Sequence, residues 1–162
     1  MGSTRILVAY FSHSGNTQAV AEQIRQMTGG ELFRIQAVDA YPADYDAVVK
    51  VAQAEQGKAA RPKLSGALPV AADYGTVFVG YPSWWSTMPM PVFTFLEGLD
   101  LTGKKIAPFG THEGSGLGRS VQDIRALCPG AAVAEGLAIR GSAVKTARRE
   151  LEAWLAGIGI SP

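Results

Sequence analysis

A chain of 162 residues with 47% hydrophobic and 18% charged residues can bury a sizeable core and is too apolar to be disordered. A formal net charge of +1 argues against a nucleic-acid surface, which needs clustered Lys and Arg, and no apolar run approaches the roughly twenty residues of a membrane span. One cysteine, Cys128, allows no internal disulfide, and beside two histidines it makes no zinc-ligand cluster, so no metal site is expected.

The first apolar run, ILVAYF, predicts a strand over 5–11, buried on both faces because its apolar residues are consecutive and not alternating. A helix over 17–27 follows, with Val20, Ile24 and Met27 on one face and Gly29-Gly30 as its stop. A second strand is expected over 31–37 and a helix over 44–56, started by Asp44 and carrying Val48, Val51 and Ala52 on one side. The stretch 37–74 is longer than a simple crossover. Its part from Lys58 to Leu68 holds Pro62, Gly66 and few apolar anchors, so it reads as a surface segment packed loosely along one edge.

TVFVGY predicts a third buried strand over 76–81, followed by a helix over 92–99 behind Pro91. A strand over 105–110, a helix over 118–127 ending at Cys128-Pro129, a strand over 132–139 and a helix over 143–155 complete the chain. Cys128 is read as a small, at least partly buried hydrophobe. Strand–helix alternation repeated five times is an α/β pattern: a doubly wound, five-stranded parallel sheet in one domain over 1–162. The first residues show no basic region followed by a long apolar stretch, and Ile6 stands where a myristoylation signal has Ser or Thr. A cytoplasmic protein is therefore expected.

In an open parallel sheet, ligands bind beyond the carboxyl ends of the strands, where strand order reverses. Three loops there have unusual composition. The first is Ser12-His13-Ser14-Gly15-Asn16-Thr17, at the start of a helix whose unpaired N–H groups suit an anion. Gly15 permits a sharp turn, and Ser12, Ser14 and Thr17 add hydroxyls. No GK[ST] follows, so the pattern suits a single terminal phosphate and not a nucleoside triphosphate; the plain alternative is a helix cap with spare hydroxyls. The second loop carries Pro82, Ser83, Trp84 and Trp85 among three prolines. Two adjacent indoles cannot share one core pocket, so one is free to stack on a planar ring, or both cover the following helix. The third, Phe109 to Gly118, has four glycines beside Thr111, His112, Glu113 and Ser115, which exposes backbone donors to a ligand edge or simply gives a flexible link.

A phosphate cradle, an aromatic wall and a strip of donors around one space have the shape of flavin mononucleotide (FMN). SHSGNT, GYPSWWSTMPMPVFTFLE and FGTHEGSGLG, in this order, resemble the flavodoxin-like family, in particular its compact bacterial flavoproteins and NAD(P)H-dependent oxidoreductases. The resemblance implies a three-layer α/β/α sandwich with sheet order 2-1-3-4-5. It further implies phosphate binding by Ser12, His13 (main chain), Ser14, Gly15, Asn16 and Thr17. Pro82, Ser83, Trp84 and Trp85 would flank the isoalloxazine, and Thr111, His112, Glu113, Gly114 and Ser115 would line its pyrimidine edge. His112 is the candidate catalytic group, because a protonated imidazole there would stabilise reduced flavin. The implied function is an FMN-dependent NAD(P)H oxidoreductase passing electrons to a quinone or other small acceptor, as a monomer or homodimer. The alternatives are a one-electron carrier between protein partners and a binding module without turnover. The balanced charge departs from the acidic surface of the electron shuttles.

Overall fold

The computed structural model describes residues 5–160. The expectations resting on residues 1–4 lie outside the described residues. The elements run β1 (Ile6–Tyr10), α1 (Asn16–Thr28), β2 (Glu31–Arg34), α2 (Tyr45–Gly57), β3 (Thr76–Pro82), α3 (Met90–Glu97), β4 (Lys105–His112), α4 (Ser120–Leu127), β5 (Ala132–Val133), β6 (Leu137–Arg140) and α5 (Arg148–Gly157). All strands pair parallel, in the order β2-β1-β3-β4-β5, with β6 also on β4. The expected doubly wound sheet is present. No helix among the described residues is long and apolar enough to cross a membrane.

The consecutive apolar residues of β1 serve two cores. Leu7, Ala9 and Phe11 face α3 and α4, meeting Val92, Phe95, Leu96 and Ile124, while Val8 and Tyr10 face α1 and α5, meeting Val20, Ile24, Leu151 and Leu155. Each fully buried Val, Leu, Ile or Phe side chain contributes about 1.5–3 kcal/mol, which is why β1, β3 and β4 hold the centre of the sheet. α1 ends on Gly29 in the left-handed region (φ 73°), with the Gly29 N–H donating to Arg25 O at 2.9 Å. Asp44 caps α2, its Oδ2 accepting from Ala47 N at 3.0 Å. Only Val48 and Ala52 of α2 are buried, and Val51 faces outward, against the expectation that it shares their face.

Three elements differ from the pattern read in the chain, each for a packing reason. β2 stops at Arg34, and the backbone beyond it pairs antiparallel with the segment around Leu64: Val38 N–H donates to Lys63 O and Ser65 N–H to Gln36 O, both at 2.8 Å. The segment thought loosely packed is thus tied to the sheet edge, with Leu64 and Leu68 against the core and Arg61 bonded to Glu97. The strand expected over 132–139 is split into β5 and β6. Ile106 pairs with Val133 but Phe109 with Leu137, so the edge strand gains one residue, a bulge. The carbonyls of Lys104 and Ile106 accept from Ala132 and Ala134, so Pro108, next on that side, offers no N–H and the ladder breaks there. The helix expected over 143–155 begins as a 3-10 segment, Gly141–Thr146, before α5. Gly141, Val144 and Ala147 are buried at three-residue spacing, the period of a 3-10 helix, and Leu151, Trp154 and Leu155 then follow the α period.

Candidate cofactor site

The loops leaving β1, β3 and β4 meet at the carboxyl edge of the sheet around a cavity of about 680 Å³. Its lining takes His13, Ser14 and Asn16 from the first loop, Pro82 to Trp85 from the second, and Thr111, His112, Glu113 and Ser115 from the third. Helix α2 adds Tyr45, Val48, Val49 and Ala52, a wall that lies outside the glycine- and tryptophan-rich loops. The signal was present: Val48 and Ala52 form the buried stripe of α2, and Asp44 sets the helix start that brings Tyr45 to the rim. Ser12, Gly15, Thr17 and Gly114 do not line the cavity.

In the first loop, Ser12 Oγ accepts from Gly15 N at 3.1 Å and Gln18 N at 3.3 Å, so this buried hydroxyl shapes the turn. Gly15 adopts φ 97°, which only glycine takes without strain. Thr17 is turned away: its hydroxyl bonds that of Thr111 at 2.8 Å, joining the first loop to the third in a buried pair. What remains directed at the cavity is Ser14 and Asn16, whose backbone N–H groups, Ser14 hydroxyl and Asn16 amide have no protein hydrogen-bond partner among the described residues. No acidic residue occupies the first turn of α1. Such a set of donors at a helix start is suited to an anion.

The His13 ring does more than supply main chain. Its Nε2 lies 2.7 Å from Pro42 O, and since a carbonyl only accepts, Nε2 carries the hydrogen. This bond holds the loop before α2 against the first loop. Trp84 sits in the same cluster, edge-on to Phe11 (5.3 Å), Tyr41 (5.4 Å) and His13 (5.8 Å) between ring centroids. Burial, then the 2.5 Å hydrogen bond to Glu55, push the Tyr41 hydroxyl far above the usual tyrosine range.

Trp85 is 43% exposed and belongs to a two-residue turn. Trp84 N–H donates to Thr87 O at 2.9 Å and Thr87 N–H to Trp84 O at 3.2 Å, with Trp85 at φ 52° and Ser86 at φ 68°. Left-handed backbone costs a non-glycine residue about 1–2 kcal/mol. Three contacts offset it: Trp85 Nε1 donates to Val49 O (3.1 Å), Gln56 Nε2 to Trp85 O (3.0 Å) and Arg119 N to Ser86 O (2.8 Å). The indole is thereby held between the second loop and α2. One tryptophan therefore joins an aromatic cluster, and the other stands at the wall.

In the third loop, Gly114 N–H donates to His112 Nδ1 at 2.9 Å. Nδ1 is thus the acceptor and Nε2 bears the hydrogen. Beneath the loop, Tyr81 OH bonds Ser120 Oγ at 2.8 Å with both residues fully buried, and burial raises the Tyr81 hydroxyl well above its ordinary pKa.

The family model for flavodoxins matches residues 5–158, nearly the whole chain. This chain belongs to the flavodoxin family. A protein of Bacteroides eggerthii, described provisionally as a flavoprotein, is 31% identical and superposes with a TM-score of 0.86, covering 98% of this chain and 100% of its own. A second protein described in the same way, from Bacteroides uniformis, is 28% identical with a TM-score of 0.83 over 93% and 99% of the two chains. The flavoprotein of Lactobacillus acidophilus, solved in complex with FMN, shares the fold at 23% identity, with a TM-score of 0.70 over 89% and 98%. No curated protein matches the chain. The 2-1-3-4-5 order expected of a flavodoxin-like sheet is the one observed.

Proposed function

We propose that this flavodoxin-family protein binds FMN in the cavity at the sheet's carboxyl edge and works as an NAD(P)H-dependent oxidoreductase on a small acceptor. The carrying observation is the donor set of the first loop: Ser14 and Asn16 present unpartnered backbone and side-chain donors to the cavity, and the first turn of α1 holds no carboxylate. That chemistry fits a phosphomonoester. A flavoprotein of the same fold is known with FMN, which supports the choice of cofactor. Bound FMN would take two electrons and a proton from a reduced nicotinamide and return them to an acceptor.

The chain's own residues would divide the work. Ser14 and Asn16 hold the phosphate, with Ser12 keeping the turn in shape. Trp84, Trp85 and the α2 face of Val48, Val49 and Ala52 give an apolar slot for a planar ring and limit water around it. His112, with Nδ1 occupied by Gly114 N–H, offers Nε2–H as a fixed donor to ligand atoms in the cavity. The apolar wall and the balanced charge of the chain favour a small organic acceptor over docking to a basic protein. Mixing the FMN-loaded protein with NADPH or NADH in a stopped-flow instrument should bleach the flavin absorbance within seconds, and a quinone should restore it. Flavin that stays oxidised with both nicotinamides but is reduced by a partner protein would identify a carrier instead.

A further inference from the structure

The first loop has no lysine or arginine, although the phosphate it would hold is a dianion, and the cavity lining includes a carboxylate, Glu113. The compensating charge lies on the edge strand. Arg140 ends β6, in register with His112 on β4, and is exposed. Its guanidinium rests on the third loop, both Nη atoms 3.7 Å from the position a Cβ would take on Gly114. Unlike Arg5, Arg61, Arg119 and Arg148, it has no ion-pair partner among the described residues.

The next residue shows where the strand end sits. A Cβ on Gly141 would stand 2.3 Å from Glu113 Oε1 and 2.7 Å from Asn16 Nδ2. Gly141 is buried, so the heads of Asn16 from the first loop and Glu113 from the third occupy the room its missing side chain leaves. The end of β6 is therefore where the two loops meet. An arginine there can swing a forked, permanently charged group from Gly114 toward an anion bound at Ser14 and Asn16.

We infer that Arg140 supplies the positive charge that the first loop lacks, as a phosphate-binding residue delivered from the far edge strand, and that Glu113 opposes it. The inference rests on the FMN reading above, and it separates the two residues by sign. Fluorescence titration of apoprotein with FMN and, in parallel, with riboflavin tests it. In R140Q the Kd for FMN should rise roughly tenfold with that for riboflavin unchanged, whereas E113Q should tighten FMN several-fold by removing a nearby like charge. R140K should recover part of the loss. The penalty in R140Q should shrink between about 0.05 and 0.5 M salt, because an exposed charge is screened. Equal weakening of FMN and riboflavin, or no change in either, would overturn the inference while leaving FMN binding itself intact. Failure of the wild type to prefer FMN to riboflavin would instead sink the reading on which it rests. Thermal melts of the apoproteins check folding, and because Arg140 is exposed they should superimpose.

Discussion

The buried hydroxyl pair Thr17–Thr111 offers a measurement in which the chain's pattern and its structure disagree. In the sequence, Thr17 stands as a phosphate donor; in the fold, its hydroxyl lies 2.8 Å from Thr111 Oγ1, and the two residues are 1% and 4% exposed. Thr17→Val keeps the shape but strands the Thr111 hydroxyl without a partner. A buried polar group so orphaned costs about 1–3 kcal/mol, so each single valine variant should destabilise the apoprotein by that amount. Replacing both partners with apolar groups of the same shape is nearly neutral, so the double variant should recover most of the loss, with a coupling of about 1–2 kcal/mol. Urea denaturation of the four apoproteins at constant slope provides the numbers. Strict additivity of the two singles would show that the hydroxyls do not meet. Unchanged stability in Thr17→Val together with FMN affinity reduced by about 1–2 kcal/mol would place the hydroxyl on the phosphate and refute the tie between loops.

Two more perturbations probe the frame around the cavity. Gly118→Ala would set a Cβ 2.2 Å from Ser86 O at a residue with φ 57°, so it should cost about 1–3 kcal/mol by overpacking alone and displace the Trp85 turn, read as a shift in tryptophan emission and weaker flavin binding; unchanged emission with full stability would mean that Gly118 does not hold the turn. Glu31 is held below the usual carboxylate range by a hydrogen bond from Tyr74, then by Arg5. Its folded pKa is lowered, so its contribution is present above the unfolded value of 4.5 and lost as pH falls below it: Glu31→Gln should flatten the acid limb of the stability profile, and parallel wild-type and variant profiles from pH 3 to 6 would make the interaction inert.

The architecture follows from the chain alone because its signals are local. Consecutive apolar residues in ILVAYF and TVFVGY demand burial on both faces, which a parallel sheet between helices supplies. Gly29 and Asp44 mark helix ends through φ and side-chain capping, interactions that span a few residues. The three loops around the cavity were identifiable for the same reason, since hydroxyl residues, glycines and adjacent tryptophans are denser there than a simple turn requires.

Tertiary contacts decided what depends on distant neighbours. The break between β5 and β6 answers to Pro108 on another strand, and the 3-10 start of the last helix answers to the spacing of its buried contacts. Thr17 and Ser14 carry similar hydroxyls three positions apart, yet one bonds Thr111, far along the chain, and the other opens to the cavity. The α2 wall and the placement of Gly141 against Asn16 and Glu113 likewise come from segments that no window of sequence brings together. Composition determines which groups a loop can offer; the packing of remote strands and helices determines which of them remain free to bind.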